Sequence, residues 1–334
     1  MPIVPTSDGA GVVEAVGSGV TRFQKGDKVL TLFNQGHLAG SLDFKSVGTG
    51  VGGTIDGALQ QYGAYDENGL VAMPSNLDFL QGSTLVCAGL TAWNGLYGLE
   101  SRGLKPGDWV LTQGTGGVSM FAVQFAKAAG AKVIATTSSA AKGEKLKALG
   151  ADHVINYKEV ENWGEEAKKL TPGGRGVQHI LEVGGPNTMV RFLFPFCKSA
   201  SNVSLTIIFQ TQSLKAISFD GVISIVGFLG GVKGEQQPTF LDCLVSPPNH
   251  HPALHPTLLI HDHITNSPHQ NNICTVRGVL VGSRLQFEEM NRAIEANDIN
   301  PIVDEKVFTL DEAKDAYQYM WDQKHFGKLC IKIE

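Results

Sequence analysis

Residues 108–130 read Asp-Trp-Val-Leu-Thr-Gln-Gly-Thr-Gly-Gly-Val-Ser-Met-Phe-Ala-Val-Gln-Phe-Ala-Lys-Ala-Ala-Gly, and this stretch decides the fold. Trp109 to Gln113 is a short apolar run between the turn residues Lys105-Pro106-Gly107-Asp108 and a glycine, which predicts a buried strand. Val118, Phe121, Ala122, Phe125, Ala126 and Ala129 then recur at the spacing of one helical face. Gly130 stands where a C-terminal cap is wanted.

Strand and helix are joined by Gly114-Thr115-Gly116-Gly117-Val118-Ser119. Gly114 permits a tight turn, Gly116 lets the backbone approach a pyrophosphate, and the helix N-terminus offers unsatisfied N–H groups to phosphate oxygens. Ser119 occupies the third small-residue slot, and its hydroxyl could donate to a phosphate. An ordinary βα turn is the plain alternative. A second strand, Lys132 to Ser138, favours the dinucleotide reading. At its end an acidic residue would bond a ribose 2′-hydroxyl and repel a 2′-phosphate. Thr137, Ser138, Ser139 and Lys142 stand there instead, which favours NADP(H) over NAD(H), although Lys142 also reads as a solvated lysine of a first helical turn.

Working outward, the pattern predicts strands at Ala151–Tyr157, Val177–Val183, Gly221–Gly227 and Arg277–Gly282, and helices at Lys142–Leu149 and Glu159–Leu170. Strands alternating with helices make an α/β doubly wound parallel sheet, with a ligand across the strands' C-terminal ends. The turn containing Gly227, Phe228 and Leu229 is therefore a candidate nicotinamide contact. Upstream, residues 9–32 alternate β-branched runs and glycines in the manner of a small barrel. Residues 34–57 read as a glycine-rich loop without core elements, Gln60–Ala64 and Leu70–Met73 as strands, and Phe79–Leu99 as helical. Downstream, Leu285–Asn297 is helical. Thr309-Leu-Asp-Glu312 reads as a capping box opening a helix with an apolar stripe at Ala313, Ala316, Tyr317, Met320 and Trp321, and His325–Ile333 as a final strand.

A chain of 334 residues, 42% hydrophobic, is long enough for two domains, and a net charge of -5 gives no reason to expect nucleic acid or an anionic membrane as partner. No apolar run reaches bilayer length, the first residues lack a signal-peptide pattern, and five scattered cysteines suit a reducing cytoplasm.

The order of elements, with Gly9-Ala-Gly-Val-Val-Glu-Ala-Val-Gly17, Lys25-Gly-Asp-Lys-Val29, Leu90-Thr-Ala-Trp93, Gly114-Thr-Gly-Gly-Val118, Leu149-Gly-Ala-Asp-His-Val154 and Phe326-Gly-Lys328, resembles the medium-chain dehydrogenase/reductase superfamily. Within it the chain is similar to the quinone-oxidoreductase and zinc-type alcohol-dehydrogenase-like branch. The resemblance implies a GroES-like β-barrel catalytic domain from residues 1–88 and 295–334, and a Rossmann NADP-binding domain from residues 89–294. It implies Thr91 at the nicotinamide, Asn156 and Tyr157 at the adenosine, and Ser283, Arg284 and Lys328 as closing contacts. It also implies a homodimer joined at the sheet edge near Arg277–Gly282, and a small carbonyl, quinone or alcohol as substrate.

Three departures stand out. Zinc-using members carry Gly-His-Glu where this chain has Thr6, Ser7 and Asp8, and the loop holds no cysteine cluster, so no metal is expected; His37 reads as solvent-facing or satisfied. Family members begin well upstream, with barrel strands and an Asn-Tyr-Arg-Asp-like segment near the substrate, which places the substrate-side residues outside this chain. An inert or purely NADPH-binding product is then the alternative to an enzyme. Finally, residues 190–210 and 245–270 interrupt family-like sequence. The second stretch holds six of the ten histidines and five of the fourteen prolines. Its His250, His251, His255, His261, His263 and His269 read as a metal-binding tract, as a disordered loop, or, with residues 190–210, as translated introns, since codons for Val190-Arg191 and Val245-Ser246 fit a splice donor. No catalytic base is identifiable; Tyr62 is a weak candidate for protonating an enolate, and a packed barrel tyrosine is the plainer reading.

Overall fold

The computed structural model describes residues 2–184, 212–227, 257–260 and 273–334. The chain forms two compact units, one of Met1–Gly103, Thr115–Ala128 and Val281–Glu334, the other of Leu104–Gly114 and Ala129–Leu280. The first, containing both chain ends, is called the terminal unit, and the second the sheet unit.

In the terminal unit, β1 (Ala10–Val12), β2 (Lys28–Thr31) and β3 (Leu70–Ala72) form an antiparallel sheet, with Leu30, Leu32 and Val71 fully buried. Two expectations fail here. Gln60–Ala64 forms no strand, because no neighbouring strand offers it a ladder, and Tyr62 is 78% exposed. The 34–57 loop does contribute to the core through buried Asn34, His37 and Val51, and carries a short helix, α1 (Phe44–Val47), capped by Asp43. The 79–99 segment is helical in three pieces: α2 (Phe79–Ser83), opened by an Asp78–Gln81 capping box, a π-helical turn at Leu85–Gly89, and α3 (Leu90–Tyr97). α4 (Gly117–Ala128) buries Phe121, Ala122, Phe125 and Ala126, four of the six stripe residues. Trp93 of α3 meets Phe125 edge-on at 5.4 Å.

The last part of this unit holds α8 (Arg284–Ala296), β11 (Val303–Thr309), α9 (Ala313–Trp321) and β12 (Lys328–Lys332), the two strands pairing in parallel. The Glu312 carboxylate accepts from the N–H and hydroxyl of Thr309, but Thr309 ends β11 and the helix begins only at Ala313. Of the expected apolar stripe only Ala316 is buried, and Trp321 is 83% exposed.

The sheet unit has β4 (Trp109–Gln113), β5 (Lys132–Thr137), β6 (His153–Asn156), β7 (Val177–Glu182), β8 (Ile217–Ile225), β9 (Thr257–Ile260) and β10 (Cys274–Gly278). Their order is β6-β5-β4-β7-β8-β10-β9, with every pair parallel except β10 with β9. Strands covered on both faces read as continuous apolar runs, and Leu111, Ile134, Ile155, Ile180, Ile223 and Val276 share one core with Trp163 and Ala167. Those last two lie on α6 (Trp163–Leu170); α5 (Ala140–Ala148) and α7 (Gln212–Ala216) complete the unit. β10 begins three residues before the predicted Arg277. It ends at Gly278, and beyond it Val281 takes a left-handed φ of 51° that an extended strand does not use. The edge expected near Arg277–Gly282 is in part occupied, since β9 pairs with residues 274–277. Among the described residues no helix is long and apolar enough to cross a membrane.

Candidate cofactor-binding site

In the sheet unit the fingerprint begins where β4 ends. Gly114 takes a φ of 76°, open to glycine at no steric cost, and its N–H donates to Thr136 O at 2.8 Å, pinning the turn to β5. Beside it Gln113 donates through Nε2 to Glu182 Oε2 at 2.8 Å and accepts through Oε1 from the N–H groups of Val183 and Gly184. Ser213 donates to the same carboxylate, and Gly184 N–H reaches its other oxygen at 3.0 Å. Glu182 is fully buried. Its charge is tolerated because each oxygen accepts hydrogen bonds from a fixed donor. The network ties the C-terminal ends of β4 and β7 to the first turn of α7.

The candidates for the adenosine side gather at the neighbouring strand ends. Thr137 is in register with Asn156, and its carbonyl accepts from Tyr157 N–H at 3.0 Å. Ser139 stands at the N-cap of α5 without a side-chain cap bond, Ser138 and Lys142 are half-buried, and Tyr157 is exposed. Asn156 donates to Glu159 Oε1 at 2.5 Å. Gly227 lies two residues past β8, while Phe228 and Leu229 fall outside the described residues, as do the six clustered histidines.

In the terminal unit, Thr115 and Gly116 lead into α4, whose first residues are Gly117, Val118 and Ser119, with Ser119 buried. Gly116 forms a parallel backbone bridge with Gly327, and a Cβ placed on it would meet nothing within 4 Å. Space of that kind admits a ligand against the backbone. At Gly117 a Cβ would lie 2.7 Å from Lys328 Cδ, so glycine here lets the lysine stem cross the first turn of the helix. The Lys328 ammonium ends 2.9 Å from Asp8 Oδ2, and Ser7 Oγ donates to the other Asp8 oxygen at 2.6 Å. Burial depresses the lysine's pKa, but the Asp8 carboxylate and the Cys87 sulfur outweigh it and hold the ammonium above its ordinary value.

Cys87 sits on the π-helical turn, one helical turn before Thr91, whose side chain hydrogen-bonds it. Burial, reinforced by Asp8 and opposed by Lys328 and Thr91, pushes its thiol up to about 12. Neither Asp8 nor Cys87 was singled out as a cofactor-site residue from sequence. The i,i+4 spacing of Cys87 and Thr91 is a readable signal, whereas the meeting of Asp8 with Lys328, 320 residues apart, has none. Ser283 caps α8 through Gln286, and Arg284 donates to Asn68 Oδ1 at 2.8 Å, so both have structural partners within this unit. His37 is buried, not solvent-facing, with Nε2 3.0 Å from Gly40 O and Nδ1 without a hydrogen-bond partner.

Comparison with known proteins places these features. Residues 1–75 match the model of the alcohol dehydrogenase GroES-like domain, and residues 117–205 that of the zinc-binding dehydrogenases. A zinc-type alcohol dehydrogenase-like protein of Schizosaccharomyces pombe is 40% identical over the whole chain, which spans 83% of that relative. The chain is a medium-chain dehydrogenase/reductase, a member of an oxidoreductase superfamily. Human quinone oxidoreductase is 30% identical over 70% of this dehydrogenase/reductase, which covers 57% of the human protein. The crystal structure of an NAD-dependent alcohol dehydrogenase superposes with a TM-score of 0.72 at 26% identity, covering all of this chain and 84% of the other. These relatives support a nicotinamide cofactor.

Zinc, which the family names evoke, finds no fitting set of ligands among the described residues. Tetrahedral zinc takes thiolate, imidazole or carboxylate at close spacing. Here the carboxylate of Asp8 is engaged by an ammonium and a hydroxyl. Among the described residues no group of three or more His, Cys, Asp or Glu could hold a metal ion.

Proposed function

We propose that this chain binds NADP(H) and uses it to reduce a quinone or an α,β-unsaturated carbonyl without zinc. The observation that carries the reading is the Lys328–Asp8 pair laid across the first turn of α4. It puts a fixed cation beside a helix N-terminus, where backbone N–H groups and the helix dipole already favour an anion. Gly116 leaves room for a pyrophosphate to approach, and Thr91, beside Cys87, is the nicotinamide-side candidate. At the end of β5, Thr137, Ser138, Ser139 and Lys142 offer hydroxyls and a cation with no carboxylate among them, which supports a 2′-phosphate. The nicotinamide, when bound, supplies the hydride. The chain's residues orient it, and holding two reactants at contact distance gives effective molarity without a Lewis acid. Residues 1–88 with 295–334 and residues 89–294 are the catalytic and cofactor domains of this reading, and the reducing cytoplasm is its setting. A second copy is the macromolecular partner. Zinc-independent alcohol oxidation is the second reading; it would need a base for the hydroxyl proton, and the described residues offer none at the site.

Mixing the protein with NADPH and following nicotinamide fluorescence, then absorbance after adding a naphthoquinone or an enone, separates the cases. Quenching followed by consumption is the expected result. Binding without consumption would leave a non-catalytic NADPH-binding protein, and no binding would remove the proposal.

A further inference from the structure

At the end of the sheet opposite the Gly114 turn, the starts of β4, β7 and β8 and the turn after α6 enclose a cleft of about 640 Å³, all within the sheet unit. That volume lies in the range of small-molecule sites. Two cations line it. Lys168 is in the last turn of α6, where a lysine suits the negative end of the helix dipole. Its neighbour Lys169 already stands there and pairs with Glu166, whereas half-buried Lys168 has no carboxylate partner among the described residues. Arg175 stands beyond that helix. Its Nε donates to Pro172 O at 3.2 Å, which fixes the stem, and no carboxylate meets its guanidinium among the described residues.

Ser218, which also lines the cleft, is 7% exposed, and its hydroxyl has no hydrogen-bond partner among the described residues. A buried hydroxyl without a partner costs free energy that an arriving oxygen acceptor would recover. Asp108 is the one carboxylate among the lining residues, and it already accepts from Lys105 N–H at 2.8 Å. Two cations and one carboxylate leave a single positive charge in excess. The aromatic lining is half-buried Trp109 and Phe219, the latter 70% exposed. A ring so exposed beside a cleft is apolar area that a flat ligand would cover.

We propose that this cleft is a binding site for an aromatic monocarboxylate, its carboxylate held by Arg175, Lys168 and the Ser218 hydroxyl, its ring against Trp109 and Phe219. A guanidinium fork matches the two oxygens of a carboxylate, and one excess charge suits a monoanion better than a phosphate dianion. The site stands at the other end of β4 from the Gly114 turn, so it fills independently of NADPH.

Isothermal titration calorimetry of the full chain with 2-naphthoate tests this, with 2-naphthalenemethanol as the uncharged comparison. The expected result is one 2-naphthoate per chain, at an affinity unchanged by saturating NADPH, with the alcohol weaker by about tenfold or more. Arg175 is exposed, so Arg175→Ala leaves the fold intact and should weaken 2-naphthoate about tenfold. Ser218→Ala should weaken it a fewfold, and Lys169→Ala, one residue from Lys168 but outside the cleft, should leave it unchanged. Phe219→Ala should weaken acid and alcohol alike. Absence of saturable binding overturns the proposal, as does equal affinity for acid and alcohol or full affinity in Arg175→Ala. Displacement of 2-naphthoate by NADPH overturns it as well, because the probe would then occupy the cofactor site.

Discussion

Two carboxylates sit at the heart of the two units, and they are held in opposite ways. Glu182 is fully buried and accepts from the neutral donors Gln113, Ser213 and a backbone N–H. Asp8 has 14% of its side chain exposed and faces a lysine that is 26% exposed. A sealed network of fixed dipoles has one satisfied arrangement, so its work is to hold strand ends in place. An ion pair open to solvent on one side has an alternative, because the ammonium can turn to an arriving phosphate. The first arrangement suits a scaffold, and the second suits the proposed cofactor site.

The largest expected effect breaks the scaffold side. Glu182→Ala leaves Gln113 Nε2 without its carboxylate partner and the N–H of Gly184 with one acceptor fewer, and should cost about 3 kcal/mol of unfolding free energy, read by urea denaturation. Glu182→Gln, which keeps the shape, should cost less. If Glu182→Ala instead left stability unchanged and weakened NADPH binding, the distinction between the two carboxylates would be wrong.

The next effect is on pH. His179 in β7 is buried 3.8 Å from Asp108, and burial, opposed by Asp108 and aided by Arg277, lowers its pKa to about 4. The folded state then binds fewer protons than the unfolded chain between pH 6.5 and about 4. The contribution is therefore complete above 6.5 and lost as pH falls toward 4, by about 3 kcal/mol at most. His179→Phe should flatten the stability profile over that window without altering cofactor affinity.

Smaller effects sharpen the site side. Lys328→Ala removes the cation and leaves Asp8 without its partner, so NADPH affinity should fall about tenfold, or about 1.4 kcal/mol, while Lys328→Arg retains most of it. Ser139→Ala should narrow the preference for NADPH over NADH by a fewfold and leave NADH binding unchanged, measured by fluorescence titration of both nucleotides.

The sheet was legible because its strands are apolar runs bounded by glycines whose φ values other residues adopt at a cost, such as Gly114 after β4 and Gly130 shortly before β5. The sequence pattern puts this strand at 277–282 rather than 274–278 because Cys-Thr-Val at 274–276 adjoins the inserted stretch. α9 misled for a different reason. Its stripe is real in sequence, but Tyr317, Met320 and Trp321 find no covering element within the unit, so periodicity gave the helix and not the burial. In the candidate site the fingerprint and Thr91 were readable as local patterns. The Asp8–Lys328 pair was not, since it depends on bringing together residues from opposite ends of the chain.

The central claim is that the turn from Gly114 into α4 cradles a dinucleotide phosphate. Titrating NADPH into Gly116→Asp, alongside the unaltered chain, tests it most directly, because a Cβ at Gly116 meets nothing within 4 Å and the new side chain sets a negative charge where the phosphate would lie. The account predicts that the variant folds and retains no NADPH at concentrations that saturate the parent. Equal affinity in the two proteins would contradict it.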